Sequence, residues 1–131
     1  MEGERRPTVE EVLFLHSVAL GTHGGAEGLR DAGALEAAVE RPWGGSFGQA
    51  HFESVWDKAA ALMESIIKRH PFVDGNKRTG VFAGARLLDL GGYELQAEDE
   101  ELVELALRIA GEGMKIEEIS QWFADHTTEK Q

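Results

Sequence analysis

Cysteine is missing from all 131 residues, which removes disulfide frames, thiolate metal sites and thiol nucleophiles. Proline occurs three times, and two of the three, Pro42 and Pro71, fall where helical patterns stop. Long apolar runs are lacking as well. The patch from Val12 to Leu20 is short, is broken by His16 and Ser17, and follows the acidic start Met1-Glu2-Gly3-Glu4-Arg5-Arg6. Neither a signal peptide nor a membrane span is therefore expected, and the reducing cytoplasm is the expected location. Three catalytic or binding signatures are absent too: the P-loop, His-Glu-x-x-His and the nucleophile elbow. His16, His23, His51 and His126 lack metal-ligand spacing and read as structural or surface residues. No internal repeat or low-complexity tract appears, and the length suits one domain over 1–131.

Basic residues are also in short supply. Lys and Arg number 13 against 24 Asp and Glu, a net charge of −11. That balance argues against duplex nucleic acid as a partner, because phosphate neutralisation supplies most non-specific affinity. The deficit is uneven. Residues 68–78 carry Lys68, Arg69, Lys77 and Arg78 against Asp74 alone, so a small positive spot sits on an acidic body and suits a nucleotide-sized anion.

What is present reads as helices. Thr8-Val9-Glu10-Glu11 forms a capping box opening a helix to about Leu20, with Gly21 as the stop. Gly21 to Gly33 reads as a loop, and Asp31 caps a short helix over 32–40 before Pro42. Residues 43–52 read as a packed, irregular loop. The strongest periodicity lies over 54–69, with Val55, Ala59, Leu62, Ile66 and Trp56, Ala60, Met63, Ile67 on one face. Asp57, Ala61, Glu64 and Lys68 lie opposite, Glu64 and Lys68 as an i,i+4 pair. Further helices are predicted over 76–90, burying Val81, Phe82, Ala85 and Leu88, over 98–110, and over 116–126. Residues 127–131 read as a frayed tail. Tyr93-Glu94-Leu95 is the single strand candidate, so the class is all-α.

The chemistry concentrates in His70-Pro71-Phe72-Val73-Asp74-Gly75-Asn76-Lys77-Arg78-Thr79-Gly80. Asp74-Gly75 is a turn dipeptide, and Gly75 lets a ligand approach the backbone closely. A helix starting at Asn76 turns its unpaired N–H groups and positive dipole end toward the loop, an anion site. Asn76 caps it or adds an amide; Lys77 and Arg78 flank it, the guanidinium able to bind phosphate oxygens bidentately. Asp74 is placed to hold Mg²⁺ against those phosphates. Histidine is the side chain whose ordinary pKa lies nearest neutrality, which makes His70 the candidate proton acceptor. Phe72 reads as core, and Arg30 and Lys68 as surface or loop contacts. Each part has a bland reading, as cap, turn or solvated face, and the functional case rests on their order at a helix N-terminus. Together they suffice for phosphoryl or nucleotidyl transfer to a hydroxyl.

This motif resembles the signature of the Fic/Doc family, in its death-on-curing (Doc) branch. Gly24-Gly25, Gly28-Leu29-Arg30-Asp31, Leu35 to Val39, Lys58 to Leu62, Gly91-Gly92-Tyr93, Ala110 to Gly113 and Trp122 fit the same branch, so the likeness covers most of residues 8–126. It implies a compact all-α domain of about six helices with the active-site loop between two central ones. Fic enzymes transfer AMP from ATP to a target hydroxyl; they carry glycine where Lys77 stands and a second arginine where Val81 stands. The Doc branch shares the lysine, binds the nucleotide reversed and moves its γ-phosphate to a threonine of elongation factor Tu, which stops translation. Gly75 is the Fic choice where Doc proteins often carry alanine.

On this likeness His70 is the base, Asp74 the metal ligand or orienting carboxylate, and Gly75, Asn76, Lys77 and Arg78 bind the nucleotide, with ATP and Mg²⁺ as cofactors. The implied protein is a toxin with kinase activity, AMP transfer being the runner-up and a non-catalytic co-repressor the reading from another class. No Ser or Thr has Glu four positions on, so the family's self-inhibitory [ST]-x-x-x-E helix is missing. Control is then expected from a small antitoxin whose disordered tail folds onto the toxin.

Overall fold

The computed structural model describes residues 5–131, and the reading of the chain's acidic start falls partly on residues 1–4, outside them. The described residues hold six α-helices and four strands of two or three residues each. Helix α1 spans Val9–His23 behind the expected Thr8–Glu11 capping box, but runs three residues past Leu20. Gly21 does not stop it; Gly24, at φ 78°, does. Helix α2, Ala32–Glu40, starts from the Asp31 carboxylate, which accepts the Ala34 N–H. The α-helix ends at Glu40, before Pro42 as expected, and the chain continues through a 3-10 turn, Arg41–Trp43. The expected packed loop is instead an exposed hairpin, β1 (Gly45–Ser46) against β2 (Gln49–Ala50), with Phe47 fully exposed at its tip.

Helix α3, Val55–Arg69, is the centre of the molecule. Its Ala59, Ala60, Leu62, Met63, Ile66 and Ile67 are wholly or almost wholly buried. Ala61, expected on the polar side, is also buried, because α2 and the 3-10 turn cover that side as well. Glu64 pairs not with Lys68 but with Arg41, at 2.6 Å. Helix α4, Asn76–Leu90, packs along α3 through Thr79, Gly80, Ala83, Gly84, Leu87 and Leu88. Of the four residues expected to be buried there, Leu88 is, whereas Val81, Phe82 and Ala85 are only half-covered. A Cβ on Gly80 would lie 2.9 Å from Ile67 Cγ1 and 3.3 Å from the Met63 carbonyl, so glycine is what allows the two backbones to approach.

Helices α5 (Asp99–Glu112) and α6 (Ile116–Asp125) close the core with Leu105, Ile109, Ile119 and Phe123. The expected strand at Tyr93–Leu95 forms as β3. The supposed frayed tail supplies its partner, β4 (Thr127–Glu129), antiparallel in the register Tyr93–Glu129 to Leu95–Thr127. The tail is fixed because Thr127 Oγ1 accepts the Trp56 indole N–H at 2.9 Å and Lys130 binds Asp89. A chain of charges, Glu11–Arg86–Asp89–Lys130, runs over this face and links α1, α4 and the segment after β4. No helix among the described residues is long and apolar enough to cross a membrane.

Candidate active site

The motif loop joins the C-terminus of α3 to the N-terminus of α4. Helix α3 ends at Arg69, and His70 is its C-cap in the left-handed region, φ 52° and ψ 60°. His70 is exposed, and its imidazole makes no hydrogen bond among the described residues. Pro71 and Phe72 turn inward and are buried. His16 of α1 stacks on the Phe72 ring with centroids 3.8 Å apart, and its Nε2–H donates to the Asp74 carbonyl at 2.8 Å. The histidine read as structural thus holds the loop from below.

Asp74 is exposed, and its carboxylate accepts the Ala26 N–H on Oδ2 at 3.1 Å and the Gly75 N–H on Oδ1 at 2.8 Å. These two backbone donors, Ala26 first, hold its pKa below the ordinary carboxylate value, and the Lys77 charge adds to the effect. Gly75, at φ 79°, is the N-cap of α4, and no side chain among the described residues caps that end. A side chain at Gly75 would be strained by that φ and would touch His16. The first N–H groups of α4 are therefore left without intrahelical partners, beside the exposed Lys77 and the half-buried Arg78.

Asn76 departs from its expected place. It is the first helical residue rather than the cap, and its side chain is buried. The amide folds back on the loop, Oδ1 accepting the Phe72 N–H and Nδ2 donating to the Phe72 carbonyl, both at 2.9 Å. The side chain shapes the loop through these two bonds, and the Asn76 backbone N–H is one of the N–H groups at the start of α4. Lys77 and Arg78 also line a groove between α4 and α5 with Val81, Phe82, Val103 and Leu107. His70 and Asp74 lie outside that lining.

The loop is bound from outside by a segment forty residues upstream. Gly28 accepts the Val73 N–H at 3.0 Å, Leu29 bridges Phe72, and the Arg30 and Asp31 N–H groups both donate to the Pro71 carbonyl. Arg30 adds its guanidinium, with Nε donating to the His70 carbonyl at 2.6 Å and Nη2 to the Arg69 carbonyl at 2.7 Å. Arg30, expected as a surface or loop contact, binds the loop's main chain. The available signal was its position two residues after Gly28 and directly before the Asp31 cap.

Among the described residues no group of three or more His, Asp or Glu is gathered as a metal cage. Asp74 alone fits Mg²⁺ as that ion is commonly held, by one or two carboxylates together with substrate phosphates and water. Each of its oxygens has one backbone donor and keeps a free lone pair.

A family model described as the Fic/DOC family matches residues 6–88. The protein named Toxin Doc from Mycolicibacterium smegmatis (strain ATCC 700084 / mc(2)155) is 43% identical over 89 residues. The matched stretch covers 68% of this chain and 66% of that protein, slightly under two thirds of the relative's length.

Proposed function

The chain belongs to the Fic/DOC family, and from that premise we propose that it is the toxin of a type II toxin–antitoxin pair, acting as a protein kinase. In this reading it moves the γ-phosphate of ATP to a threonine hydroxyl of elongation factor Tu and so arrests translation. The name of the relative, Toxin Doc, supports the toxin role. The observation that supports the chemistry is that one short loop carries an exposed imidazole with no hydrogen bond among the described residues, a carboxylate whose pKa is lowered by backbone donors, and a helix N-terminus without a side-chain cap, beside Lys77 and Arg78.

The chemistry follows from those groups. His70 accepts the proton of the threonine hydroxyl as its oxygen forms a bond to the γ-phosphorus; the bond to the β,γ-bridging oxygen breaks, and ADP departs. The free N–H groups of α4, Lys77 and Arg78 hold phosphate oxygens and offset charge on them. Bound Mg²⁺, oriented by Asp74, would neutralise phosphate charge. By the family resemblance, Lys77 favours the kinase outcome, since AMP-transferring members have glycine there and arginine where Val81 stands. A small antitoxin with a disordered tail is the partner that would silence the enzyme.

Incubating the protein with γ-labelled ATP and elongation factor Tu tests the reading. The factor should acquire label, and His70→Ala should lower the rate by about a hundredfold or more. Label arriving from α-labelled ATP alone would establish AMP transfer instead. Absence of either label, with wild type and His70→Ala equally harmless when expressed in bacteria, would leave the non-catalytic co-repressor.

A further inference from the structure

We propose that Arg30 is a positioning residue, one that fixes the backbone from which the His70 side chain departs; this rests on His70 being the base. His70 occupies a helix C-cap in the left-handed region, where glycine is the usual residue because a Cβ is disfavoured there. Only Phe47, at the hairpin tip, shares a positive φ with it among the described non-glycine residues. Something outside the residue has to hold it there. Its own N–H reaches the Ile66 carbonyl at 3.2 Å, and Pro71, next in the chain, has no N–H to contribute.

Arg30 supplies the rest. Three successive carbonyls, those of Arg69, His70 and Pro71, accept from this one residue: the first two from its guanidinium, the third from its backbone N–H at 2.7 Å. The two side-chain bonds are short and charge-assisted, and a cation at a helix C-terminus also complements the dipole. The backbone of Arg30 is itself fixed on both sides. Leu29 bridges Phe72, and Asp31 caps α2. The guanidinium is thus the end of a rigid arm, while the imidazole it serves has no hydrogen bond of its own among the described residues. Placement of the His70 ring is inherited from main chain, and main chain here is set by Arg30. Lysine, with a single ammonium in place of a planar fork, would not reproduce two divergent bonds.

The test compares wild type, Arg30→Ala and Arg30→Lys by backbone NMR of residues 69–72, by melting temperature, and by kcat and KM for ATP in the labelled transfer. Arg30→Ala should move the His70 Cα and carbonyl shifts away from left-handed values. Its kcat should fall about tenfold to a hundredfold, with KM for ATP within about twofold of wild type. Arg30→Lys should be intermediate in both. Unchanged His70 shifts and kcat in folded Arg30→Ala would overturn the proposal, as would activity falling only in proportion to the folded fraction. If the alanine variant does not fold, a lysine variant identical to wild type in shifts and kcat would overturn it. If wild type transfers no label, the kinase reading fails, and the NMR comparison still decides whether Arg30 sets the conformation of His70.

Discussion

Asp74 is a surface carboxylate with two backbone donors, and this combination has a measurable acid signature. The Ala26 and Gly75 N–H groups, then Lys77 and His16, hold its pKa below the ordinary aspartate value. A carboxyl that binds protons less readily folded than unfolded stabilises the fold above its unfolded pKa, and that stabilisation is lost as pH falls through the folded value. Melting temperatures taken from about pH 6 to about pH 3 should therefore drop more steeply below about pH 4 in wild type than in Asp74→Asn. Asp89, lowered by Lys130 and Arg86, titrates in both proteins, so the difference isolates Asp74. Identical slopes would mean that the Ala26 contact does not form in solution. The residues bearing this chemistry were legible in the sequence because they are nearly contiguous. Arg30 and Ala26 were not, since a contact made across forty residues leaves no periodic trace. That Gly75 and not Asn76 is the cap has a related reason: a polar residue at a helix start looks like a cap until the loop's own backbone donors are located.

At the level of elements, the seam between α3 and α4 sets the spacing of the helix ends that carry the loop. Gly80→Ala should gain helix propensity of about 1 kcal/mol but meet overpacking of about 1–3 kcal/mol against Ile67 and the Met63 carbonyl. A net loss of about 1 kcal/mol in urea unfolding is expected. Gly111→Ala, at an exposed position of α5 with nothing within 4 Å, should instead gain about 0.5–1 kcal/mol. Both changes stabilising alike would remove the close seam. This seam explains where sequence reading was strong and where it slipped. Large apolar residues at helical spacing located α3 and its buried face. On α4 the same weighting selected Val81 and Phe82, whereas the buried row is made of glycine, alanine and threonine plus two leucines. Hydrophobic patterning counts bulk, and close helix approach requires the lack of it. Val81 and Phe82 instead wall the groove toward α5 that Lys77 and Arg78 open onto.

Across the whole molecule, the all-α class and the helix order were readable from periodicity and caps, while the pairing of β3 with β4 was not. Three residues of strand in a polar tail resemble disorder, and it is the distant β3, Trp56 and Asp89 that give them a place. Deleting residues 127–131 should consequently lower stability by about 1–3 kcal/mol in thermal or urea unfolding, mostly through the orphaned Trp56 N–H and the lost pairing. A truncated chain melting with the full one would return the tail to a dispensable role. The charges running from Glu11 through Arg86 and Asp89 to Lys130 belong to the same scale. They are partly solvated, and dissolved ions screen such attractions, so raising ionic strength weakens the moorings of the opening helix and of the closing segment in concert. The glycine-and-alanine spine between α3 and α4 has no such sensitivity, and the protein's periphery and its centre answer to different solvents.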